Sequence, residues 1–91
     1  MKTINVEVTG LEDLVGEKLF IRTVTYHWVG KVKKLIGGII ELEDASCVFD
    51  SGPFKEAFGK GNLENSEYSG QQFINLSTVS DFSIWKHSLP K

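Results

Sequence analysis

Cysteine occurs once in the 91 residues, at Cys47, which excludes an intrachain disulfide framework and a cysteine-based zinc site. A reducing compartment is the simplest setting for it. Cys47 stands between Ser46 and Val48 in an apolar run, the surroundings of a buried structural thiol. Long hydrophobic runs are also missing, and none reaches membrane-spanning length. The N-terminal MKTINVEVTG alternates Ile4, Val6 and Val8 with Asn5, Glu7 and Thr9, a strand pattern and not the apolar block of a signal peptide. A soluble, cytoplasmic chain without a membrane partner is expected.

A surplus of positive charge is the third absence. Ten Lys and Arg against twelve Asp and Glu leave a formal charge of -2, which disfavours duplex nucleic acid, because that binding depends on clustered cations neutralising phosphates. A local basic pocket stays open. Repeats, low-complexity tracts and linkers are lacking too, so residues 1–91 read as a single domain with a thin core.

What is present is mostly strand. LEDLVGEK has one turn's apolar spacing in Leu11, Leu14 and Val15, but Gly16 limits it to a turn or short helical loop. From Lys18 to Ile36 β-branched and aromatic residues dominate, with Trp28, Val32 and Ile36 on one strand face and His27, Lys31 and Lys33 on the other. Gly30 between them leaves room for a large neighbour. Gly37-Gly38, between two apolar-alternating runs, signals a hairpin whose tight turn needs positive φ. ASCVF reads as a further strand. Ser51-Gly52-Pro53 then turns into FKEAF, where Pro53 suits the first helical position, Phe54, Ala57 and Phe58 share a face, and Gly59 and Gly61 offer the stop. Residues 60–70 are polar and glycine-bearing and read as a loop, with QQFINLS and DFSIWKH as the last strands. Six or seven short strands and one short helix near residues 53–59 predict a mainly β fold, a small SH3-like, strongly bent sheet or partly open barrel. An ordinary α+β sheet is the alternative. Exposed edge strands in so small a domain make self-association a reasonable expectation.

Catalytic signatures are absent: there is no phosphate loop, no His-Glu-x-x-His and no nucleophile elbow, and His27 and His87 are far apart in sequence. The acidic pairs Glu12-Asp13 and Glu41, Glu43 and Asp44 read as solvated surface. No enzyme, cofactor or metal site is implied.

Binding fits better, at two places. In RTVTYHW, alternation puts Arg22, Val24 and Tyr26 on one face and Thr23 and Thr25 on the other, with a turn near His27. Arginine suits phosphate, hydroxyls donate or accept, and Tyr26 and Trp28 offer faces for a base. The plainer explanation is that the aromatics are core and the rest is sheet surface. In FDSGPFKEAF, the first turn of a helix starting near Pro53 would present free N–H groups beside Asp50, Ser51 and Gly52, with Lys55 adding charge. The plainer explanation here is a capped helix whose Phe54 and Phe58 seal the core. Residues 60–70 would supply a lid, or a tolerated surface excursion.

RTVTYHWVG, LEDASCVFDSGPFKEAF and FINLSTVSDFSIWKHSLP together resemble a family of small, uncharacterised, largely phage-encoded β-rich proteins. Its usual His directly before the strand glycine is replaced here by Val29. That family is similar in turn to phage anti-defence sponges, small oligomers that sequester cyclic oligonucleotides or cyclic ADP-ribose isomers. The resemblance implies a non-enzymatic homo-oligomer, cytoplasmic in an infected bacterial host, that binds a small nucleotide signal through Arg22, Thr23, Thr25, Tyr26, His27, Trp28, Asp50, Ser51, Gly52, Phe54 and Lys55. A protein-interaction module, either a virion component or an inhibitor docking on a host protein, is the competing expectation. Single-strand nucleic-acid binding on a barrel face is a third, against which the acidic balance weighs.

Overall fold

The computed structural model describes residues 7–90. A 3₁₀ turn at Leu11–Leu14 leads into strands β1 (Lys18–Thr23), β2 (His27–Ile36) and β3 (Ile39–Asp50). Helix α1 (Phe54–Lys60), strand β4 (Asn65–Asn75), a second 3₁₀ turn (Leu76–Thr78) and strand β5 (Val79–Ile84) complete the order. All five strands join one antiparallel sheet in the order β4-β3-β2-β1-β5.

That order forces the sheet to bend. β4 and β5 occupy opposite edges, yet only Leu76–Thr78 lies between them in sequence. In a flat sheet four strand spacings would hold the edges about 19 Å apart, whereas three residues of 3₁₀ turn advance about 6 Å. The edges must therefore curl towards each other at this end. The core agrees: Ile74 from β4 and Val79 and Ile84 from β5 join one cluster with Leu14, Leu19, Ile21, Val32, Ile40 and Leu42. The expected strongly bent, SH3-like sheet with one short helix is the observed fold.

β1 is covered on both sides, which explains why its KLFI core reads as a continuous apolar run. Leu19 and Ile21 enter the cluster inside the bend, while Phe20 faces outward into a second cluster with Val29, Val48 and Trp85. Helix α1 and the C-terminal residues lie over that second cluster. Phe58 stands edge-on to Phe20 at 5.1 Å and to Trp85 at 6.0 Å, and Leu63 and Leu89 pack alongside. Polar groups fasten the terminal segment to backbone oxygens: Ser46 Oγ donates to Pro90 O at 3.0 Å, Trp85 Nε1 to Ser88 O at 3.2 Å, and Lys18 Nζ to His87 O.

The glycine hairpin is present as expected, with Ile36 opposite Ile39 and Gly37 at φ 56° supplying the positive φ of a two-residue turn. Gly30 serves a close backbone approach and not a bulky neighbour, since a Cβ there would sit 3.1 Å from Ala45 Cα. Helix α1 begins one residue later than expected, with Pro53 as its N-cap.

Three expectations need correction. ASCVF is not a separate strand: β3 runs unbroken through it, and the polar break is an irregularity around Asp44, whose φ is 51°. Residues 60–70 are not a long loop either, because β4 starts at Asn65; an exposed edge strand buries so little that its sequence resembles a loop. The described strands number five, short of the six or seven expected. The N-terminal strand read from Ile4 onward falls largely outside the described residues, and residues 7–10 are not in a strand. No helix among the described residues is long and apolar enough to cross a membrane.

Candidate functional site

The residues singled out in the sequence separate into three places. Arg22, at the end of β1, lies opposite Asp81 of β5, and its guanidinium makes a two-pronged ion pair with that carboxylate, Nε to Oδ1 at 2.6 Å and Nη2 to Oδ2. The hydrogen bonds and charge of Arg22 hold Asp81 below its usual value, with a smaller contribution from His27, and Asp81 in turn raises Arg22. Arg22 also lies over the Phe54 ring, 5.7 Å from its centre. His27 sits between Phe20 and Phe54, at 5.5 and 6.5 Å, with its Nδ1 buried and unpartnered among the described residues. His87 flanks the same aromatic group through Trp85 at 5.1 Å and donates from Nε2 to Phe58 O at 2.7 Å. The two histidines, distant in sequence, thus border one aromatic cluster. Tyr26 lies beside it, half-exposed and edge-on to Phe49.

The second place is the turn before α1. Gly52 adopts φ 68° and its N–H donates to Asp50 Oδ1 at 2.9 Å, while Ser51 is buried and donates to Gly52 O at 3.0 Å. Among the described residues no side chain caps the helix, so the expected side-chain cap is absent. The turn consumes these polar groups in local bonds and sets a carboxylate beside the helix start, a poor arrangement for an anion. Lys55 is exposed.

The third place is a cavity of about 280 Å³ at the mouth of the bend, between the β1–β2 turn and the β4 end. Thr23, Val24, Thr25 and Trp28 line one side, and Gln72, Phe73, Ile74, Asn75 and Thr78 the other. Thr23 and Thr25 do share a side of the turn with Trp28, which rests half-buried against the inner cluster. Sequence reasoning found this near wall and missed the far one, whose only signal is the amide-rich QQFIN at the end of β4.

A fourth feature corrects the acidic pairs. Glu41 is not solvated surface but 3% exposed, accepting from Gln71 Nε2 at 2.9 Å with Lys34 and Lys33 at 3.7 and 4.0 Å. It floors a groove of about 250 Å³ that Glu43, Asp44 and Tyr68 also line, with Tyr68 donating to Asp44 at 3.1 Å. No group of three or more His, Cys, Asp or Glu among the described residues is arranged to hold a metal ion.

No family model matches the chain, and no curated protein matches it by sequence. Solved structures do. A heptameric archaeal Sm protein, described for its implications for the eukaryotic snRNP core, is similar over 81% of this chain and 93% of its own, at TM-score 0.60 and 17% identity. The P. aerophilum SmAP1 heptamer is similar over 81% of this chain and 85% of its own, at TM-score 0.61 and 17% identity. The class is therefore the Sm fold, a strongly bent SH3-like sheet. This overturns the resemblance to phage anti-defence sponges and, with it, the small nucleotide signal as ligand, because these neighbours are archaeal Sm proteins. The competing interaction-module expectation gains no support from them.

Proposed function

We propose that this chain forms a homo-oligomeric ring that binds single-stranded RNA and performs no catalysis. The observation that carries it is the pair of unguarded sheet edges. Among the described residues β4 and β5 each pair with one strand only, and neither NSEYSGQQFIN nor VSDFSI contains the lysine or proline that commonly blunts an edge. Phe73 and Tyr68 of β4 and Phe82 of β5 stand 50%, 48% and 38% exposed beside those edges. The edges differ, so joining β4 of one copy to β5 of the next is a head-to-tail contact, which closes into a ring when the rotation permits. Both neighbours above are heptamers, and one is discussed in connection with a ribonucleoprotein core.

RNA fits this surface better than duplex DNA. With a charge of -2 per chain the attraction to phosphate is weak, and affinity has to come from base contacts repeated around the assembly. Native mass spectrometry of the purified protein, followed by fluorescence anisotropy with labelled oligo-RNA, tests both halves. A single closed oligomer that retains RNA is expected. A monomer at micromolar concentration would remove the ring, and no retention of any single-stranded RNA would remove the ligand.

A further inference from the structure

We infer that charge matches the two sheet edges to each other, with Lys86 of one copy forming an ion pair with Glu67 of the next, an inference that rests on the ring half of the proposal above and deepens it. The sequence divides its charges by edge. From Gly61 to Asn75, which covers β4 and the approach to it, the only Asp, Glu, Lys or Arg residues are Glu64 and Glu67. From Leu76 to Pro90 they are Asp81 and Lys86, and Asp81 is already neutralised within the chain by Arg22. One edge is left acidic, and the other carries a single cation.

Both members of the inferred pair are exposed, and neither forms an ion pair among the described residues. Lys33 and Lys34 of β2 do not serve Glu67, because they lie against the buried Glu41 at 4.0 and 3.7 Å. Lys86 stands two residues beyond β5 and is fastened on both sides. Trp85 before it is buried and donates its backbone N–H to Lys18 O at 2.8 Å, and the carbonyl of His87 after it accepts from Lys18 Nζ. Its backbone is therefore set before a neighbour arrives, which lowers the ordering cost of the contact.

Every joint within the sheet is antiparallel. A joint of the same kind between copies lays the end of β5 toward the start of β4. Matching Val79 with Asn75 brings Lys86 level with Tyr68, beside Glu67, while the uncharged QQFIN meets the first residues of β5. A parallel joint would carry Lys86 to that uncharged end instead. Two β4 edges would bring together carboxylates alone, and two β5 edges would offer Lys86 only an Asp81 that Arg22 already holds. Only the head-to-tail antiparallel joint sets an unpaired cation against an unpaired carboxylate, so charge selects both the partner edge and its direction.

The test uses purified full chains, with assembly followed by native mass spectrometry across a dilution series and folding checked by circular dichroism. Lys86→Glu and Glu67→Lys turn attraction into repulsion at every joint, and each alone should raise the dissociation midpoint about ten-fold. Lys86→Gln only removes the charge and should raise it about three-fold, which keeps the pair testable if a reversal disturbs the fold. Mixing the two charge-reversed chains should return the midpoint to within about three-fold of wild type. Such a rescue between separately purified chains is intermolecular by construction. High salt should narrow all of these differences. Folded Lys86 variants that dissociate at the wild-type concentration, or a mixture no tighter than its components, would overturn the pairing and leave the ring standing. A wild-type chain that is monomeric throughout would overturn the ring and the pairing together.

Discussion

Arg22 is the side chain a phosphate site would require, and the fold gives it Asp81 as an ion-pair partner. The pair has a pH signature. Asp81 in the folded chain titrates below its ordinary 3.8, so its contribution is present above that value and is lost as pH falls through the lowered one. Thermal midpoints of the wild type and Asp81→Asn should therefore differ at neutral pH and converge well below pH 3.8; a gap that persists into strong acid contradicts the pairing. Both side chains are over two-fifths exposed, so the neutral-pH difference should be small. Gly30→Ala is a sharper probe, because the added methyl meets Ala45 at 3.1 Å in a sheet that cannot easily spread; a loss of about 1–3 kcal/mol in a urea melt is expected. Cys47, 8% exposed, has its thiol pushed up by burial and by Glu67. Native protein should react with a thiol reagent only slowly, and denaturant should release the reaction.

At the scale of elements, what could be read from sequence follows what each element buries. The Gly37-Gly38 hairpin and the helix after Pro53 were legible because turn chemistry and a one-sided apolar face are local signals. β4 was not, since its eleven residues bury only Ile74 and the rest mimic a loop. The cavity was half legible for a related reason. Thr23, Thr25 and Trp28 lie together in the chain, but Gln72, Phe73 and Asn75 reach them only through the bend, across more than forty residues. The edges themselves make a prediction at this scale: Ser80→Lys/Phe82→Lys on β5 should dissolve the proposed ring into folded monomers, seen as a mass shift with an unchanged circular dichroism spectrum. A variant that still assembles like the wild type counts against β5 as an interface strand.

For the whole molecule, the decisive quantity is a charge of -2 spread over a surface with exposed aromatics on β4, β5 and around α1. The proposed RNA binding should accordingly depend weakly on salt. Each phosphate neutralised steepens the log–log slope by about 0.7 for a single strand, and a slope shallower than about -2 is expected by anisotropy across a salt series. A steep slope would mean that lysines such as Lys31 carry the affinity and bases do not.

The three residues Leu76–Thr78 leave almost no slack between β4 and β5. In an assembly joined through those strands, a tilt imposed on one joint is handed directly to the next, like links of a chain with rigid hinges. In the proposed ring, the angle held by this link and by the Asn75 side chain that braces it would help to set the number of copies. Lengthening the link would change how many subunits close the circle before it stopped them from meeting.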